Sequence, residues 1–364
     1  MKAIVLAGGY ATRLRPISYV IPKLLFPVAG RPMIHWTLDL LRRFRVDEVI
    51  LAVNYLAGEL RSAIGDEYRG MRVKYSLEKA PLGTGGPIKL ASKMTRITET
   101  FIAMNGDIIT NIDFKKMLQT HKDSKSEITD ALREVQDPSR FGVVQLDAMS
   151  RIIRFVEKPN KADAPSRLIN AGIYLIEPSV LKRIPAERKV SLEREIFPVI
   201  AQLRKLGGFR LSEYWFDIGN FSDYRKANFA LMQQAGGANA RFRNGTVPRG
   251  SKLAPPVFIG SRAAIAGEAK LGPNVVLGKN LRVGKRARVS DSIIFDGVSI
   301  GESSTVIGAI VASNSIIGKH VRIERGAVIS PDVSISDGVR VGRGAVVHPH
   351  KEITRNIADS AHVM

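Results

Sequence analysis

The residues of this sequence best suited to chemistry are a pair of glycines and three cations near its start. Gly8 and Gly9 follow Lys2–Leu6 (K-A-I-V-L), an apolar run with the length and β-branching of a buried strand. Without a Cβ atom, glycine lets backbone N–H groups approach an anion closely. Three basic side chains follow within a proline-punctuated segment: Arg13, Arg15 and Lys23. Together they indicate a polyphosphate site at the end of a strand.

This glycine pair matches neither of the two common phosphate loops. No G-x-G-x-x-G opens a helix, and no Gly-Lys-Ser/Thr occurs in the chain. A plain turn with solvated cations is the structural alternative, and the glycines alone do not decide between the two.

Two aspartates stand where a metal could bind. Asp107 follows the apolar strand Phe101–Met104, and ligands of open α/β sheets bind beyond the carboxyl ends of strands. Asp113 is the better cap for the next helix, which leaves Asp107 available. Asp217 lies among aromatic residues in Y-W-F-D-I-G, where an aspartate is costly unless it caps, pairs or binds metal.

Two further stretches could contact a ligand or could be structural. Residues 78–87 (E-K-A-P-L-G-T-G-G-P) are rich in glycine and proline, which suits either a turn or close approach to a flat ligand. Glu157 and Lys158 end a β-like run and could form an ordinary surface ion pair.

The elements around these residues predict an α/β domain. A helix is expected over 32–44, a strand over 49–53, a helix near 59–68 and a strand near 73–76. Alternating strands and helices are typical of a Rossmann-like, mostly parallel sheet.

Beyond residue 254 the pattern changes to a six-residue repeat. Aliphatic residues recur at this spacing with two one-residue slips: Ile259, Ile265, Leu271, Leu277, Val283, Val289, Ile294, Ile300, Val306, Val311, Ile317, Ile323, Ile329, Ile335, Val341 and Val347. Hexapeptide periodicity predicts a parallel β-helix, here of about five coils. The expected domains are therefore 1–233, a linker over 234–254, the β-helix over 255–350 and a tail over 351–364.

Composition restricts the possible partners. The chain has no cysteine, and its six histidines show no metal-ligand spacing, so a metal should be a hard cation such as Mg²⁺. The net charge is +21, and residues 241–290 hold eleven Lys/Arg against one acid, Glu268. Because these cations are spread singly with almost no aromatics between them, we expect no nucleic-acid partner. No apolar run of 18 residues or leader is visible, so we expect no membrane partner and a cytoplasmic location.

The segments G-G-Y-A-T-R-L-R-P and P-K-L-L-F-P resemble the signature of the sugar-phosphate nucleotidylyltransferases. The resemblance is strongest to their mannose-1-phosphate guanylyltransferase branch with a C-terminal left-handed β-helix. It covers residues 1 to about 230 densely and the remainder generically. The family usually has glycine where this chain has Ala11.

The resemblance implies a role for each candidate residue. It assigns catalytic contacts with the phosphates to Arg13, Lys23 and Lys158, and Mg²⁺ coordination to Asp107 and Asp217. It assigns substrate binding to a larger set: Leu6, Ala7, Gly8, Gly9, Gly83, Thr84, Gly85, Asn105, Gly106, Gly142, Glu157 and Asn170.

The implied reaction joins a nucleoside triphosphate to a sugar 1-phosphate and releases pyrophosphate. GTP and mannose 1-phosphate are the favoured substrates, and glucose 1-phosphate with a uridylyl or thymidylyl donor is the alternative. A β-helix acetyltransferase using His320, His348 or His350, and a catalytically silent regulatory subunit, also stay open. The β-helix is expected to mediate homo-oligomer contacts.

Overall fold

The computed structural model describes residues 1–234 and 248–364, together with the backbone of 241–242. The chain divides into two compact units, residues 1–10 with 33–217 and residues 11–32 with 218–364. This division differs from the boundary expected at residue 233, since residues 11–32 cluster with the C-terminal part. Most of the expected linker over 234–254 lies outside the described residues.

The elements of residues 1–234 alternate as the sequence predicts. The strands are β1 (Lys2–Leu6), β2 (Pro27–Val28), β3 (Arg31–Pro32), β4 (Glu48–Val53), β5 (Glu67–Tyr68), β6 (Met71–Leu77), β7 (Phe101–Asn105), β8 (Ile108–Thr110), β9 (Ile128–Glu134), β10 (Gly142–Leu146), β11 (Ile152–Glu157), β12 (Leu168–Ile176), β13 (Leu206–Arg210) and β14 (Trp215–Asp217). The α-helices are α1 (Met33–Arg43), α2 (Ala57–Ile64), α3 (Gly85–Ser92), α4 (Phe114–Asp123), α5 (Phe197–Gln202) and α6 (Phe221–Gln234).

The first unit is built on one mixed sheet. Its strand order is β11-β10-β12-β7-β1-β4-β6-β5, with β9 paired to β12 and β13. The central pairs β7-β1, β1-β4 and β4-β6 are parallel, and every residue of β4 is buried, as expected for a strand covered on both faces. The predicted Rossmann-like fold class is confirmed.

Two local predictions can be compared with these elements. The helix expected near 59–68 ends at Ile64, because Gly65 leaves the helical region with a φ of 79° and β5 follows. Asp113 caps α4, since its carboxylate accepts hydrogen bonds from the N–H groups of Lys115 and Lys116.

The C-terminal part of the second unit is a parallel β-helix of short strands. They are β15 (Arg241–Phe242), β16 (Lys252–Leu253), β17 (Val257–Ile259), β18 (Ala264–Ile265), β19 (Lys270–Leu271), β20 (Val275–Leu277), β21 (Arg282–Val283), β22 (Arg288–Ser290), β23 (Ser292–Ile294), β24 (Ser299–Ile300), β25 (Thr305–Ile307), β26 (Ile310–Val311), β27 (Ile316–Ile317), β28 (Arg322–Ile323), β29 (Val328–Ile329), β30 (Ser334–Ile335), β31 (Arg340–Val341), β32 (Val346–Val347), β33 (Glu352–Ile353) and β34 (His362–Val363).

These strands form three parallel sheets, one for each side of a coil. The sheets begin with β15, β16 and β18, and each strand pairs with an equivalent strand 16 to 18 residues later. Of the sixteen aliphatic residues that define the repeat, all but the half-buried Ile265 are buried in its core.

The β-helix is longer than the sequence pattern indicates. It includes β15 and β16, which fall in the expected linker, and β33 and β34, which fall in the expected tail. The six-residue count continues to Ile353 and is lost after it, although Ile357 still fills the core. Two of the three sheets therefore have six strands among the described residues, against about five expected coils.

Residues 11–32 belong to the second unit because they pack on α6 and the β-helix. Phe26 makes edge-to-face contacts with Tyr224 and Phe295, each at 5.7 Å between ring centroids. The Tyr224 hydroxyl donates to the Pro27 carbonyl at 2.6 Å. Among the helices the structure describes, none has the length and apolarity needed to cross a membrane.

Candidate active site

A cavity of about 350 Å³ in the first unit lies at the carboxyl ends of β1 and β7. It is lined by Leu6, Gly8, Gly9, Tyr10, Glu78, Pro81, Leu82, Gly83, Thr84, Pro87, Asn105, Asp107 and Lys189. Seven of these residues are in the predicted site set. Three others of that set, Ala7, Gly85 and Gly106, are their immediate neighbours in the chain.

Backbone hydrogen bonds bring the two strand ends together. Leu6 pairs with Asn105 in the parallel register of β1 and β7, and the Gly106 N–H donates to the Leu6 carbonyl at 2.8 Å. The Ala7 N–H donates to the Ala52 carbonyl at 2.8 Å. The glycine pair therefore leaves the sheet beside the loop that carries Asp107, at the carboxyl ends of the strands, where ligands of open α/β sheets bind.

Gly8 is needed because a carboxylate occupies the space of a side chain. A Cβ atom on Gly8 would lie 2.4 Å from Oε1 of Glu78, whereas one on Gly9 would meet nothing within 4 Å. Glu78 is only 6% exposed and accepts a hydrogen bond of 3.1 Å from the Leu82 N–H. Burial raises the pKa of Glu78 above its usual value, and the Leu82 N–H partly offsets that rise.

The opposite wall is the loop before α3, held by the strand-like segment at Val190. Gly83 has a φ of 79°, and a Cβ there would lie 2.4 Å from the Val190 carbonyl oxygen. That carbonyl accepts from the Gly85 N–H at 2.8 Å, and the Val190 N–H donates to the Leu82 carbonyl at 2.9 Å. Only glycine fits at residue 83.

The hydroxyl of Thr84 is used within the protein. It donates to Oε2 of Glu193 at 2.6 Å and accepts from the Leu192 N–H at 2.9 Å. Glu193 also accepts from the Ser191 hydroxyl at 2.7 Å. Thr84 thus ties the cavity loop to a segment more than 100 residues later.

Asp107, which lines the cavity, is next in the chain to a small antiparallel sheet that carries a second carboxylate. Asp217 ends β14 and pairs with Ile108 of β8, the residue after Asp107. Among the described residues no group of three or more His, Asp or Glu side chains could hold a metal. A pair of carboxylates completed by substrate phosphates is the donor set that Mg²⁺ commonly takes, so these residues fit that ion.

A second polar group lies on β10, β11 and the turn after it. Gly142 pairs with Glu157, and a Cβ on Gly142 would lie 2.3 Å from Cζ of Phe155 and 3.0 Å from Oε2 of Glu157. Lys158 follows with a left-handed φ of 47°, and its ammonium lies 3.4 Å from Oε1 of Glu157. The exposed end of the Lys158 side chain leaves its charge available to an anion.

Asn170 on β12 is oriented at both ends of its amide. Its Oδ1 accepts from the Gly172 N–H at 2.7 Å, and its Nδ2 donates to the buried Tyr174 hydroxyl at 2.9 Å. Gly172 has a φ of 69°, and a Cβ there would lie 2.5 Å from Nδ2 of Asn105. Asn105 therefore joins this group to the cavity.

Trp215 links β14 to the neighbours of the second polar group. Its indole N–H donates to the Ala171 carbonyl at 2.9 Å, next to Asn170. Its ring packs edge-to-face on Phe141, next to Gly142, at 5.8 Å. A residue two positions before Asp217 thereby contacts the chain neighbours of two predicted substrate-binding residues, Asn170 and Gly142.

Arg13 and Lys23 belong to the second unit and are described there. Arg13 lies in a single-turn 3₁₀ helix, Thr12–Leu14, with its guanidinium over Gly219, where a Cβ would lie 3.0 Å from Nη2. Lys23 begins another such turn, Lys23–Leu25. Ala11 has a left-handed φ of 47°, a conformation that glycine adopts more readily.

Six residues that line the cavity are absent from the predicted set: Tyr10, Glu78, Pro81, Leu82, Pro87 and Lys189. Pro81, Leu82 and Pro87 belong to the glycine-rich stretch 78–87. Glu78 is the first residue of the glycine-rich stretch 78–87, and its position beside a strand end is the sequence signal that could have identified it. Tyr10 directly follows the glycine pair and lies tilted against Tyr55 at 6.4 Å. Lys189 precedes the Val190 segment, and nothing in its local sequence distinguished it from other surface lysines.

Comparison with known proteins identifies the family of this chain. Residues 2–234 match the model of the family described as nucleotidyl transferase. The chain belongs to the nucleotidyl transferase family. Residues 253–363 match a second model, the GMPPB C-terminal domain.

Curated relatives match over most of the length of this nucleotidyl transferase. It is 36% identical over 338 residues to the mannose-1-phosphate guanyltransferase of Aspergillus fumigatus, covering 89% of both chains. It is 41% identical over 228 residues to mannose-1-phosphate guanyltransferase beta-B of Xenopus laevis, covering 62% of both.

A solved structure has the same N-terminal fold. HddC from Yersinia pseudotuberculosis, complexed with GMP-PN, aligns with a TM-score of 0.53 and 30% identity over 63% of this chain and 99% of that one. The family and enzyme class expected from the sequence are confirmed. The roles of individual site residues stay predictions.

Proposed function

We propose that this nucleotidyl transferase joins GTP to mannose 1-phosphate, forming GDP-mannose and pyrophosphate. Relatives named for that reaction match along nearly the whole chain, β-helix included. The proposal depends mainly on one observation, which is that the cavity and the second polar group adjoin through Asn105 and Gly172. A nucleotide in the first would therefore meet a sugar phosphate in the second.

The cavity would bind the nucleotide largely through backbone. Gly8 and Gly9 offer N–H groups to phosphate oxygens, and the loop at Gly83 presents backbone to a flat base. Glu78, buried and with a raised pKa, holds the shape of that loop through Leu82. Arg13 and Lys23 are assigned by resemblance to the triphosphate and the departing pyrophosphate.

The second group would bind the sugar phosphate. Glu157 and the oriented amide of Asn170 can accept and donate hydrogen bonds to sugar hydroxyls, and Lys158 can pair with the phosphate. A phosphate monoester has a second pKa near 6, so the attacking oxygen is already largely ionised near neutral pH. Attack on the α-phosphorus therefore needs no general base.

Asp107 and Asp217 would hold Mg²⁺, which supplies charge neutralisation at the α-phosphate when bound. The protein's remaining contribution is to align the nucleophile with the phosphorus and to stabilise charge on the transferring group. We also propose that the protein forms a homo-oligomer through its β-helix, which light scattering of the full chain would test.

The decisive experiment is pyrophosphate release by the purified full chain with Mg²⁺. GTP, UTP, dTTP, ATP and CTP are each combined with mannose, glucose and N-acetylglucosamine 1-phosphates. We expect turnover with GTP and mannose 1-phosphate and loss of at least about a hundredfold in Asp107→Ala, because metal positioning supplies several kcal/mol.

Other outcomes would replace the proposal. Turnover with glucose 1-phosphate and UTP or dTTP alone would assign that substrate pair instead. Binding of GDP-mannose without turnover of any pair would favour a regulatory subunit. Acetyl transfer from acetyl-CoA, lost in His320→Ala, would add a second activity; His320 lies exposed in a turn with a φ of 57°.

A further inference from the structure

One sheet of the β-helix carries a straight row of cations. In the sheet β16-β19-β22-β25-β28-β31, the outward residues stack in register as Lys252, Lys270, Arg288, Thr305, Arg322 and Arg340. We call the five basic residues of this row the cation ladder. All five are exposed. At about 4.8 Å per strand, the row extends about 24 Å.

The first half of the cation ladder is not neutralised within the described residues. No carboxylate there lies within 4.0 Å of the charged groups of Lys252, Lys270 or Arg288. Like charges on directly paired strand positions destabilise a sheet. Three such residues in succession therefore oppose folding and require another explanation.

The second half is partly neutralised by acidic neighbours. Glu324 lies 2.7 Å from Arg322 and 3.7 Å from Arg340, and Asp359 lies 3.4 Å from Arg340. These ion pairs show that the β-helix can supply carboxylates to its cations. Near Lys270 and Arg288 the acidic residues pair elsewhere, Glu268 with Lys285 and Asp291 with Arg325. Among the described residues, the unneutralised charge of the row is therefore concentrated at Lys252, Lys270 and Arg288.

The other two sheets have different outward chemistry. In the sheet that begins with β15, the outward residues Val276, Ile293, Ile310 and Val328 are apolar and buried. In the sheet that begins with β18, the outward residues are mixed: Ala264, Arg282, Ser299, Ile316, Ser334 and Glu352. The cations are therefore concentrated on one of three sides.

We propose that the cation ladder docks the protein on the anionic phospholipid headgroups of a membrane surface. A planar layer of headgroups meets every cation of a straight row at once, and each basic residue near such a surface adds to binding. A convex duplex would meet fewer of them, and no aromatic residue occupies an outward position of this sheet for stacking on single-stranded bases.

The proposal departs from the expectation that the chain has no membrane partner. That expectation treated the basic residues as singly spread, because the sequence spacing of about 18 residues hides their adjacency. Docking of this kind is peripheral and needs no spanning helix.

The test is sedimentation of the full chain with vesicles of phosphatidylcholine alone and of phosphatidylcholine with phosphatidylglycerol, at low and high salt. The ladder variant is Lys252→Gln, Lys270→Gln and Arg288→Gln combined. The matched control is Arg262→Gln, Lys279→Gln and Arg282→Gln, three exposed cations of the same β-helix outside the ladder. Both variants change the net charge equally.

We expect the wild type to bind only the anionic vesicles and to be released by salt. The ladder variant should lose at least about tenfold in partition coefficient, and the control less than about twofold. Pyrophosphate release should be unchanged in both. If the triple variant unfolds in a thermal melt, Lys270→Gln alone is used, with a loss of about fivefold expected.

Three results would overturn the proposal. If the ladder variant and the control lost the same factor in partition coefficient, net charge rather than the ladder would account for vesicle binding. If the wild type did not bind anionic vesicles, the cation ladder would not be a membrane-docking surface. Ladder-dependent binding to duplex DNA, without binding to vesicles, would assign the row to nucleic acid.

Discussion

Asp217 lies directly opposite Ile108 in the antiparallel pair β14-β8, one residue from Asp107. This strand pairing brings two aspartates that are 110 residues apart in the chain to neighbouring backbone positions. Trp215, on the same short strand as Asp217, donates to the Ala171 carbonyl and so connects this pair to β12. Trp215 therefore links the proposed metal-binding residue Asp217 to the strand that carries the proposed sugar-binding residue Asn170.

Asp107→Asn and Asp217→Asn should each lower kcat by at least about a hundredfold, because an amide is a neutral and weaker ligand for a hard cation. Mn²⁺ titration should show weakened binding in both. Asp113→Asn is the matched control, since asparagine also caps a helix and Asp113 serves only α4. Equal activity in all three variants would contradict the metal assignment.

Gly8→Ala should destabilise the protein by about 1–3 kcal/mol, because its methyl group would collide with the buried Glu78 carboxylate. Gly9→Ala should leave stability within about 0.5 kcal/mol, since no atom lies within 4 Å of its Cβ position. Chemical denaturation measures both. Equal stabilities would show that Glu78 can move away without loss.

Thr84→Val should raise the KM for the nucleoside triphosphate by up to about tenfold with little effect on that for the sugar phosphate. The substitution keeps the shape but leaves Glu193 and the Leu192 N–H without the Thr84 hydroxyl. Thr120→Val, at a half-buried position of α4, should change neither constant. If only the KM for the sugar phosphate changed, the loop at Thr84 would not be part of the nucleotide site.

Trp215→Phe should raise the KM for the sugar phosphate by about three- to tenfold, because the Ala171 carbonyl loses its indole donor while the aromatic packing on Phe141 is largely kept. Trp36→Phe, in α1, supplies a control at the only other tryptophan. A change in stability without a change in KM would make Trp215 a purely structural residue.

Asp130 should make the protein less stable as pH rises. Its carboxyl group is fully buried without a hydrogen-bond partner among the described residues, and burial, then the charge of Glu193, raises its pKa well above the usual value. In the unfolded state Asp130 ionises near pH 4. Below that pH the carboxyl group is protonated in both states, and its contribution to the free energy of unfolding is fully present. This contribution is lost as pH rises toward the folded pKa.

Asp130→Asn should therefore stabilise the protein at pH 7 by at least about 1 kcal/mol and flatten the decline above pH 4. Asp123→Asn, on the surface of α4, should leave the pH profile unchanged. Denaturation curves from pH 4 to 9 measure both. A steeper decline in Asp130→Asn would show that the ionised carboxylate is stabilised after all.

Local pattern determined much of this protein. The six-residue aliphatic period predicted the β-helix because each coil repeats the same inward positions, and fifteen of its sixteen marked residues are in the core. Strand ends followed by glycine or aspartate predicted where Gly8 and Asp107 lie, because parallel strands end at one edge of a sheet. The motif resemblance identified the family.

The tertiary structure alone decided which distant residues meet. Glu78 lies against Gly8, Thr84 donates to Glu193, and the cations of the ladder stack because the chain returns to the same height once per coil. Residues 11–32 pack with α6 and the β-helix through Phe26, which no local pattern indicates. Such contacts depend on how the chain closes on itself, and short-range spacing contains no information about that closure.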